Sequence, residues 1–268
     1  MTTRTFPVTS PISLVGRTGH GSFRVDARDG LTEATVELVG DTATIDKTTV
    51  ELRGSTLVVS LPRQGGIFDM SFLGGRNRGR DVLDVVVTVP SGTDIKVSTF
   101  TADITTTGRV GTADLASGVA TIRVEDVDGD LRLRYGSGSS DVRFVRGAVQ
   151  SRAGSGTGHF GEVGGALTSA CGSGDITIDL AHGAVRTRAG SGDATIRAAH
   201  GDVDFVSGSG SVTLGLPAGR SARLDVTTGS GRVESEMPVE GKATSDGQPV
   251  QVRIRTGSGD IRLVRAAA

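Results

Sequence analysis

Apolar and polar residues alternate along most of this chain, and the alternation recurs with an 18-residue period. Alternation with a period of two is typical of a β-strand that buries one face. Recurrence at a fixed spacing predicts that successive strands stack in register, with apolar columns inside and polar columns outside. Two apolar columns contain Leu131, Val149, Leu167, Val185 and Val203, and Val124, Val142, Phe160, Ile178, Ile196 and Leu214. A polar column contains Arg123, Asp141, His159, Thr177, Thr195 and Thr213.

Two series of glycines mark the turns between these strands. Glycine opens a Gly-Ser-Gly triplet at positions 136, 154, 172, 190 and 208, and a second series follows at 111, 129, 147, 165, 183 and 201. Glycine permits tight turns and close approach of two backbones, so each repeat reads as two strands and two turns. After Gly208 the triplet returns only at Gly229 and then at Gly257, so the spacing lengthens towards the C-terminus.

These patterns predict an all-β fold, a single-stranded β-solenoid (β-helix) with 18-residue coils. We expect one domain over residues 1–268, with regular coils over 82–218. An N-terminal β-rich cap and loop would cover 1–81, and irregular C-terminal coils and a cap would cover 219–268. An antiparallel meander of hairpins would give the same period. The solenoid is favoured because hairpin turns such as Asp128-Gly129 are few.

The N-terminal part is rich in strands but does not keep the 18-residue period. We predict strands near 11–16, 22–27, 33–39, 49–53 and 56–61, which would cover the first open edge of the stack. Residues 62–81 form the longest non-periodic stretch, with Arg76, Arg78 and Arg80. That stretch is either a functional loop or a plain insertion.

The composition agrees with a narrow interior. The chain has 41 Gly, 8 Phe, 1 Tyr and 0 Trp, so small branched side chains must fill its core. A net charge of -1 gives no overall field that would favour nucleic acid or a membrane. The one cysteine, Cys171, lies in a small inward column, which predicts a core residue and not a nucleophile.

Neither a signal-peptide pattern nor a membrane-spanning apolar run is found in the sequence. We therefore expect no integral membrane segment and a cytoplasmic protein, with any membrane association peripheral.

A longer phrase links the chain to a known family. Pro-Ser-Gly at 90–92 and Pro-Ala-Gly at 217–219 each precede an alternating strand, and the chain closes with Thr-Gly-Ser-Gly-Asp-Ile at 256–261. This phrase resembles the bacterial "putative adhesin" or Toastrack family of unknown function, common in actinobacteria, over roughly residues 10–265. The resemblance implies a right-handed β-helical stack and a link to envelope stress responses. It supplies no catalytic motif.

Three patterns suggest chemistry, and each has a plainer interpretation. Asp175 and Asp193 share a column, as in calcium-binding β-rolls, but one carboxylate per coil is too few for calcium. His182 and His200 lie one 18-residue repeat apart and could stack as a metal-binding or pH-sensitive pair, or be two solvated turn residues. Residues 156–161 match Gly-x-Gly-x-x-Gly, but no helix follows to make a dinucleotide site. We predict no catalytic residue, no metal and no cofactor.

One outward face is rich in arginine. The candidate binding patch comprises Arg132, Arg134, Arg152, Arg186 and Arg188. The opposite face mixes both signs, with Arg123, Arg143 and Arg197 beside Glu125, Asp141 and Asp179. Such a patch could bind an acidic protein, anionic lipid head groups or an acidic polysaccharide, or it could be a solvated face. Nucleic acid is not expected, because the chain has almost no aromatic residues for base stacking.

The sequence thus predicts a non-catalytic, adhesin-like interaction or scaffold module. Its partner would be an unidentified protein or an anionic surface, at the cell envelope or the cell surface. A self-assembling structural protein is one alternative, and the sequence leaves the oligomeric state open. A polysaccharide-active enzyme is the other, although the chain lacks the clustered acids and aromatic platforms of that class.

Overall fold

The computed structural model describes residues 1–9, 11–62, 82–218, 221–236 and 249–266. The described residues form strands throughout, with one short helix, and they group into two compact units, Met1–Ala120 and Thr121–Ala268. The first unit contains β1 (Thr2–Pro7), β2 (Ser13–Arg17), β3 (His20–Arg28), β4 (Glu33–Gly40), α1 (Thr42–Lys47), β5 (Thr49–Arg53), β6 (Thr56–Ser60), β7 (Val82–Pro90), β8 (Asp94–Thr99) and β9 (Thr101–Val110). The predicted loop at 62–81 lies, beyond its first residue, outside the described residues.

The strand β10 (Ala113–Val127) crosses from the first unit into the second. The second unit continues with β11 (Leu131–Val145), β12 (Val149–Ser155), β13 (Thr157–Val163), β14 (Leu167–Ser173), β15 (Ile176–Ala181), β16 (Val185–Ser191), β17 (Ala194–Ala199), β18 (Val203–Ser209), β19 (Val212–Leu216), β20 (Ala222–Ser230), β21 (Val233–Ser235), β22 (Val250–Ser258) and β23 (Ile261–Arg265).

In the second unit the strands pair in parallel, and in the regular coils each residue faces its counterpart one repeat further along. Val149 pairs with Leu167, and Leu167 pairs with Val185. One stack runs β11, β12, β14, β16, β18, and the other runs β11, β13, β15, β17, β19. The predicted all-β solenoid is therefore confirmed, and the antiparallel meander is excluded for these strands.

The interior of this unit is filled by the columns that the periodicity placed inside. The column of Leu131, Val149, Leu167, Val185 and Val203 is 2% exposed or less. A neighbouring inward column is unusually small and polar, with Ser151, Ser169 and Thr187 between Leu133 and Phe205. Short side chains therefore fill much of this column, while the few aromatic side chains of the interior, such as Phe160 and Phe205, are fully buried.

Glycine is required where the turns stack on one another. Gly174 has a φ of +126°, and a Cβ there would overlap the carbonyl oxygen of Gly156 in the preceding coil. The same overlap recurs at the second series of turns, where a Cβ on Gly165 would meet the backbone of Gly147. The 18-residue glycine ladders therefore follow from backbone contact between coils.

The last coil in the sequence is not the last coil in space. β22 pairs with both β18 and β20, and β23 pairs with both β19 and β21. The segment 250–265 is thus inserted between the coil of β18–β19 and the coil of β20–β21. This order explains the longer spacing of the last glycine triplets, because Gly257 stacks on Gly208 and Gly229 stacks on Gly257.

The first unit has a similar insertion. β2 pairs with β6 and β8, and β3 pairs with β7 and β9, all in parallel. Antiparallel strands cover its outer side, because β1 pairs with β4, β4 pairs with β7, and β5 pairs with β6. The five predicted N-terminal strands are present within a few residues. β1 and α1 were not predicted.

The helix α1 has six residues, and its first turn is capped by Asp41, whose carboxylate accepts a hydrogen bond from the Thr44 amide at 2.8 Å. That hydrogen bond lowers the pKa of the Asp41 carboxyl. A helix this short cannot show an apolar period. No helix in the described part of the chain is long and apolar enough to cross a membrane.

The glycine ladder can be tested with G174A. The substitution forces a Cβ into the backbone of the preceding coil at a φ that only glycine adopts easily, so we expect the free energy of unfolding to fall by about 3 kcal/mol or more. G54A is the control, because Gly54 also has a positive φ, +60°, but no atom within 4 Å of the added Cβ. It should cost only about 1–2 kcal/mol. If urea denaturation gave the same loss of unfolding free energy for G174A and G54A, contact between the coils would not explain the need for glycine.

The hydroxyl of Thr187 is buried without a hydrogen-bond partner among the described residues. T187V keeps the branched shape and removes the unpaired hydroxyl, so we expect the free energy of unfolding to rise by about 1 kcal/mol. The control is T177V on the outward column, which should change stability little. If urea denaturation showed that T187V is less stable than the wild type, the Thr187 hydroxyl would have a hydrogen-bond partner after all.

Candidate functional site

The five predicted arginines lie together on one outward face of the second unit. Arg132 and Arg134 extend from β11, Arg152 from β12, and Arg186 and Arg188 from β16, and all five are exposed. Successive strands here are parallel neighbours, so the side chains are spaced by about 4.8 Å per strand along the stack.

Two further arginines join this face, and the periodicity did not reveal them. Arg253 pairs in register with Asp204, and Arg255 pairs with Val206, because β22 is inserted next to β18. Their offset along the chain from these partners is therefore not one repeat. We define the arginine face by its seven exposed arginines: Arg132, Arg134, Arg152, Arg186, Arg188, Arg253 and Arg255.

Among the described residues of the second unit, the acids on the same outward columns are Asp204 and Asp225, so the face carries a clear positive excess. Asp204 lies 3.7 Å from Arg188, and Asp225 lies 3.2 Å from Arg253. Arg152 makes neither an ion pair nor a side-chain hydrogen bond with any described residue. Part of this positive charge is therefore available to another molecule.

The opposite face is balanced. Its outward columns contain Arg123, Arg143, Arg197 and Arg262, and Glu125, Asp141, Asp179 and Glu234. These side chains pair between coils: Arg143 lies 3.0 Å from Glu125, and Arg262 lies 3.1 Å from Glu234. The excess of arginine thus belongs to one face and is not a general property of the solenoid surface.

His159 bridges two acids of this balanced face. Its Nδ1 lies 3.0 Å from Asp141 and its Nε2 lies 2.9 Å from Asp179, so that three coils are linked. Only the protonated imidazole can donate to both carboxylates. The hydrogen bond with Asp141 raises the pKa of His159, that with Asp179 adds to the effect, and partial burial opposes it. Arg197 lies 3.0 Å from the other oxygen of Asp179, without hydrogen-bond geometry.

The structure brings His182 and His200 together as their spacing suggested. Their ring centroids are 5.5 Å apart with a tilt of 44°. His182 also contacts Glu162, with Nε2 2.9 Å from the carboxylate. Within the described residues, however, no three His, Cys, Asp or Glu side chains are placed to hold a metal ion.

The aspartates of the calcium hypothesis have a structural partner. Asp175 accepts a hydrogen bond from the Asp193 amide, and Asp193 accepts one from the Ser211 amide, each at 2.8 Å. Asp130 and Asp260 accept amide hydrogen bonds between coils in the same way. These carboxylates join one coil to the next at the turns.

Cys171 and the glycine motif also have structural roles. The Cys171 thiol donates to the carbonyl of Ser173 at 3.2 Å, and burial raises its pKa, so the nucleophilic thiolate is disfavoured. Residues 156–161 run into β13, which continues as a strand and not as the helix that a dinucleotide site needs.

A model of the Toastrack DUF4097 family matches residues 23–265. This chain belongs to the Toastrack DUF4097 family. The family match agrees with the parallel coils and with the sequence resemblance. No curated protein is similar enough to this chain to count as a match.

Solved structures similar to this Toastrack chain share its length but little of its sequence. One is a "putative adhesin" from Bacteroides fragilis, 17% identical, with 98% of this chain and 96% of that chain covered and a TM-score of 0.39. A second, from Parabacteroides merdae, is also a "putative adhesin", 12% identical, with the same coverage and a TM-score of 0.46. A "putative lipid binding protein" from Parabacteroides distasonis is 13% identical, again with 98% and 96% covered and a TM-score of 0.38.

The bridge at His159 predicts a pH-dependent contribution to stability. Because its folded-state pKa is raised, the contribution is complete below the ordinary histidine pKa of about 6.5 and is lost as pH rises through the folded-state value. We therefore expect H159Q to lower the melting temperature most near pH 5.5 and least at high pH.

The control is the D141N D179N double variant, in which H159Q should have no pH-dependent effect. Melting curves of wild type and H159Q that stay equally far apart from pH 5.5 to pH 9 would contradict the bridge.

Proposed function

We propose that this chain is a non-catalytic, adhesin-like interaction module whose arginine face binds an anionic partner. One observation carries the proposal: in the part of the chain that the structure describes, the outward columns of one face of the second unit present seven arginines against two acids, while the opposite face is balanced. A solenoid without a binding role would have no need for this difference between its two faces.

The geometry of the face suits an extended partner. Guanidinium groups are planar and can donate two parallel hydrogen bonds to a carboxylate or phosphate. Between the arginines lie short or uncharged side chains, such as Gln150, Thr168 and Ala170. A flat anionic surface can therefore reach several arginines at once, and contacts that are weak alone add up.

Two further features support binding over catalysis. Asp204 and Asp225, the acids of the face, both form ion pairs with arginines of the same face, so they take part in contacts within the stack. The outward positions between the arginines carry no aromatic ring in the described strands, so base stacking gives no reason to expect nucleic acid. Anionic polymers and lipids of the cell envelope are partners of the required charge.

Self-association is a second candidate, and the edge of the stack favours it. Among the described strands, β20 and β21 form the outermost coil at this end of the second unit. Inward residues that are buried in earlier coils are here half-buried, as at Leu224 and Val226, and Val233 is 50% exposed. An open parallel edge of this kind can pair with another chain.

The proposal can be tested with R132Q R134Q R152Q, which removes three charges and keeps the aliphatic stems. We expect the wild-type chain to sediment with phosphatidylglycerol-containing vesicles, or to bind polygalacturonate, and not to bind neutral phosphatidylcholine vesicles. The variant should bind at least about tenfold more weakly, as three exposed ionic contacts would predict, and added salt should weaken wild-type binding.

The matched control is R123Q R143Q R197Q on the balanced face, which should bind like the wild type. Equal binding to neutral and anionic probes, or equal losses in both triple variants, would overturn the proposal. Light scattering of the same samples separates the second candidate, because association through the edge would be concentration-dependent and independent of the arginines.

A further inference from the structure

An open cavity of about 620 Å³ lies within the arginine face, over β16, β18, β22 and β20. It is lined on its outward columns by Arg186, Asp204, Arg253 and Asp225, which follow one another from strand to strand. Long arginines therefore alternate with short aspartates along this row. The size is in the range of sites for small molecules, about 300–1,000 Å³.

The acids of the cavity are already engaged. Asp204 lies 3.7 Å from Arg188, and Asp225 lies beside both Arg253 and Arg255. Asp202 accepts a hydrogen bond from the Gln251 amide at 2.8 Å. Each of these aspartates thus has a partner, and further lone pairs of its carboxylate can accept hydrogen bonds.

Two arginines of the cavity remain without such a contact. Arg186 on β16 and Arg223 on β20 are exposed, and neither makes an ion pair or a side-chain hydrogen bond with a described residue. β18 and β22 lie between their strands. The two side chains thus border the cavity from opposite sides, and both can extend over it towards one bound group.

The remaining lining adds groups of a different kind. Gln251 contributes a side-chain amide beside the arginines and aspartates. The cavity therefore combines cations with uncharged hydrogen-bond donors and with acceptors. A bare polyanion would be repelled by the aspartates, whereas at β11 and β12 two arginines, Arg134 and Arg152, face each other.

We infer that this cavity binds an acidic sugar unit, a hydroxyl-rich ring that carries a carboxylate or a phosphate. The oxyanion would be held by Arg186 and Arg223, and the ring hydroxyls would donate to Asp204 and Asp225. The inference rests on the proposed function and deepens it, because the cavity gives the arginine face a position that recognises more than charge. A polysaccharide or the sugar head group of a lipid could present such a unit.

Calorimetric titration of the full chain tests the inference. The probes are glucuronate for a polysaccharide unit, inositol 1-phosphate for a lipid head group, and glucose and inorganic phosphate as its separate halves. We expect one of the two acidic probes to bind at least about tenfold more tightly than glucose or phosphate, since both kinds of contact contribute. The better acidic probe identifies the source.

The variant R186Q R223Q should weaken that binding at least about tenfold. R152Q is the matched control, because Arg152 is an equally exposed arginine of the same face outside the cavity, without an ion pair to any described residue, and it should leave binding unchanged. Three results would each overturn the inference: no heat with either acidic probe, phosphate alone binding as tightly, or an equal loss in R152Q.

The two proposals can fail separately. R132Q R134Q R152Q lies outside the cavity and should weaken binding to anionic vesicles or polygalacturonate while sparing the sugar probe. If the wild-type chain binds anionic vesicles or polygalacturonate but neither acidic sugar probe, only the inference about the cavity is wrong. If the sugar probe binds and the anionic surfaces do not, the site is a small-molecule site, and the extended face is not the binding surface.

Discussion

Backbone contact between stacked turns is the constraint from which the rest of the second unit follows. Where Gly174 lies over Gly156, and Gly165 over Gly147, there is no room for a Cβ. The turns can therefore stack only when the coils have equal length, which fixes the 18-residue period. Equal coils bring identical positions into register, so one inward column buries apolar side chains along the whole stack. The same register determines which side chains face each other outside.

Register also makes surface charge a collective property. Side chains of neighbouring coils lie about 4.8 Å apart, so like charges in one column repel each other. The balanced face avoids this by alternating signs, and His159 extends the alternation by bridging Asp141 and Asp179. The arginine face does not avoid it: Arg134 and Arg152 are direct neighbours. An arrangement that costs stability on one face and is avoided on the other is typical of a surface kept for binding.

Much of the fold could be predicted from the sequence because the period is strict. The inward columns, the outward columns and the glycine turns all follow from counting along the chain in whole repeats. The neighbours of β22 could not be predicted, because a period says nothing about order once the spacing between glycine triplets changes. For the same reason the sequence revealed five arginines of the face but not Arg253 and Arg255. The bridge at His159 could not be predicted either, because Asp141 and Asp179 lie in two different columns and the period relates residues only within one column.

The insertion of residues 250–265 has a consequence for how the chain reaches its native state. During synthesis the coil of β20–β21 leaves the ribosome before β22–β23 exists, so its final neighbour is still missing. At that stage the free edge is that of β18 and β19, and the next coil available to pair with it is the wrong one. The native order therefore requires that the edge stays open, or opens again, until the last coil arrives. Completion of the second unit in this sense has to wait for residues 250–265, which supply the coil between its neighbours.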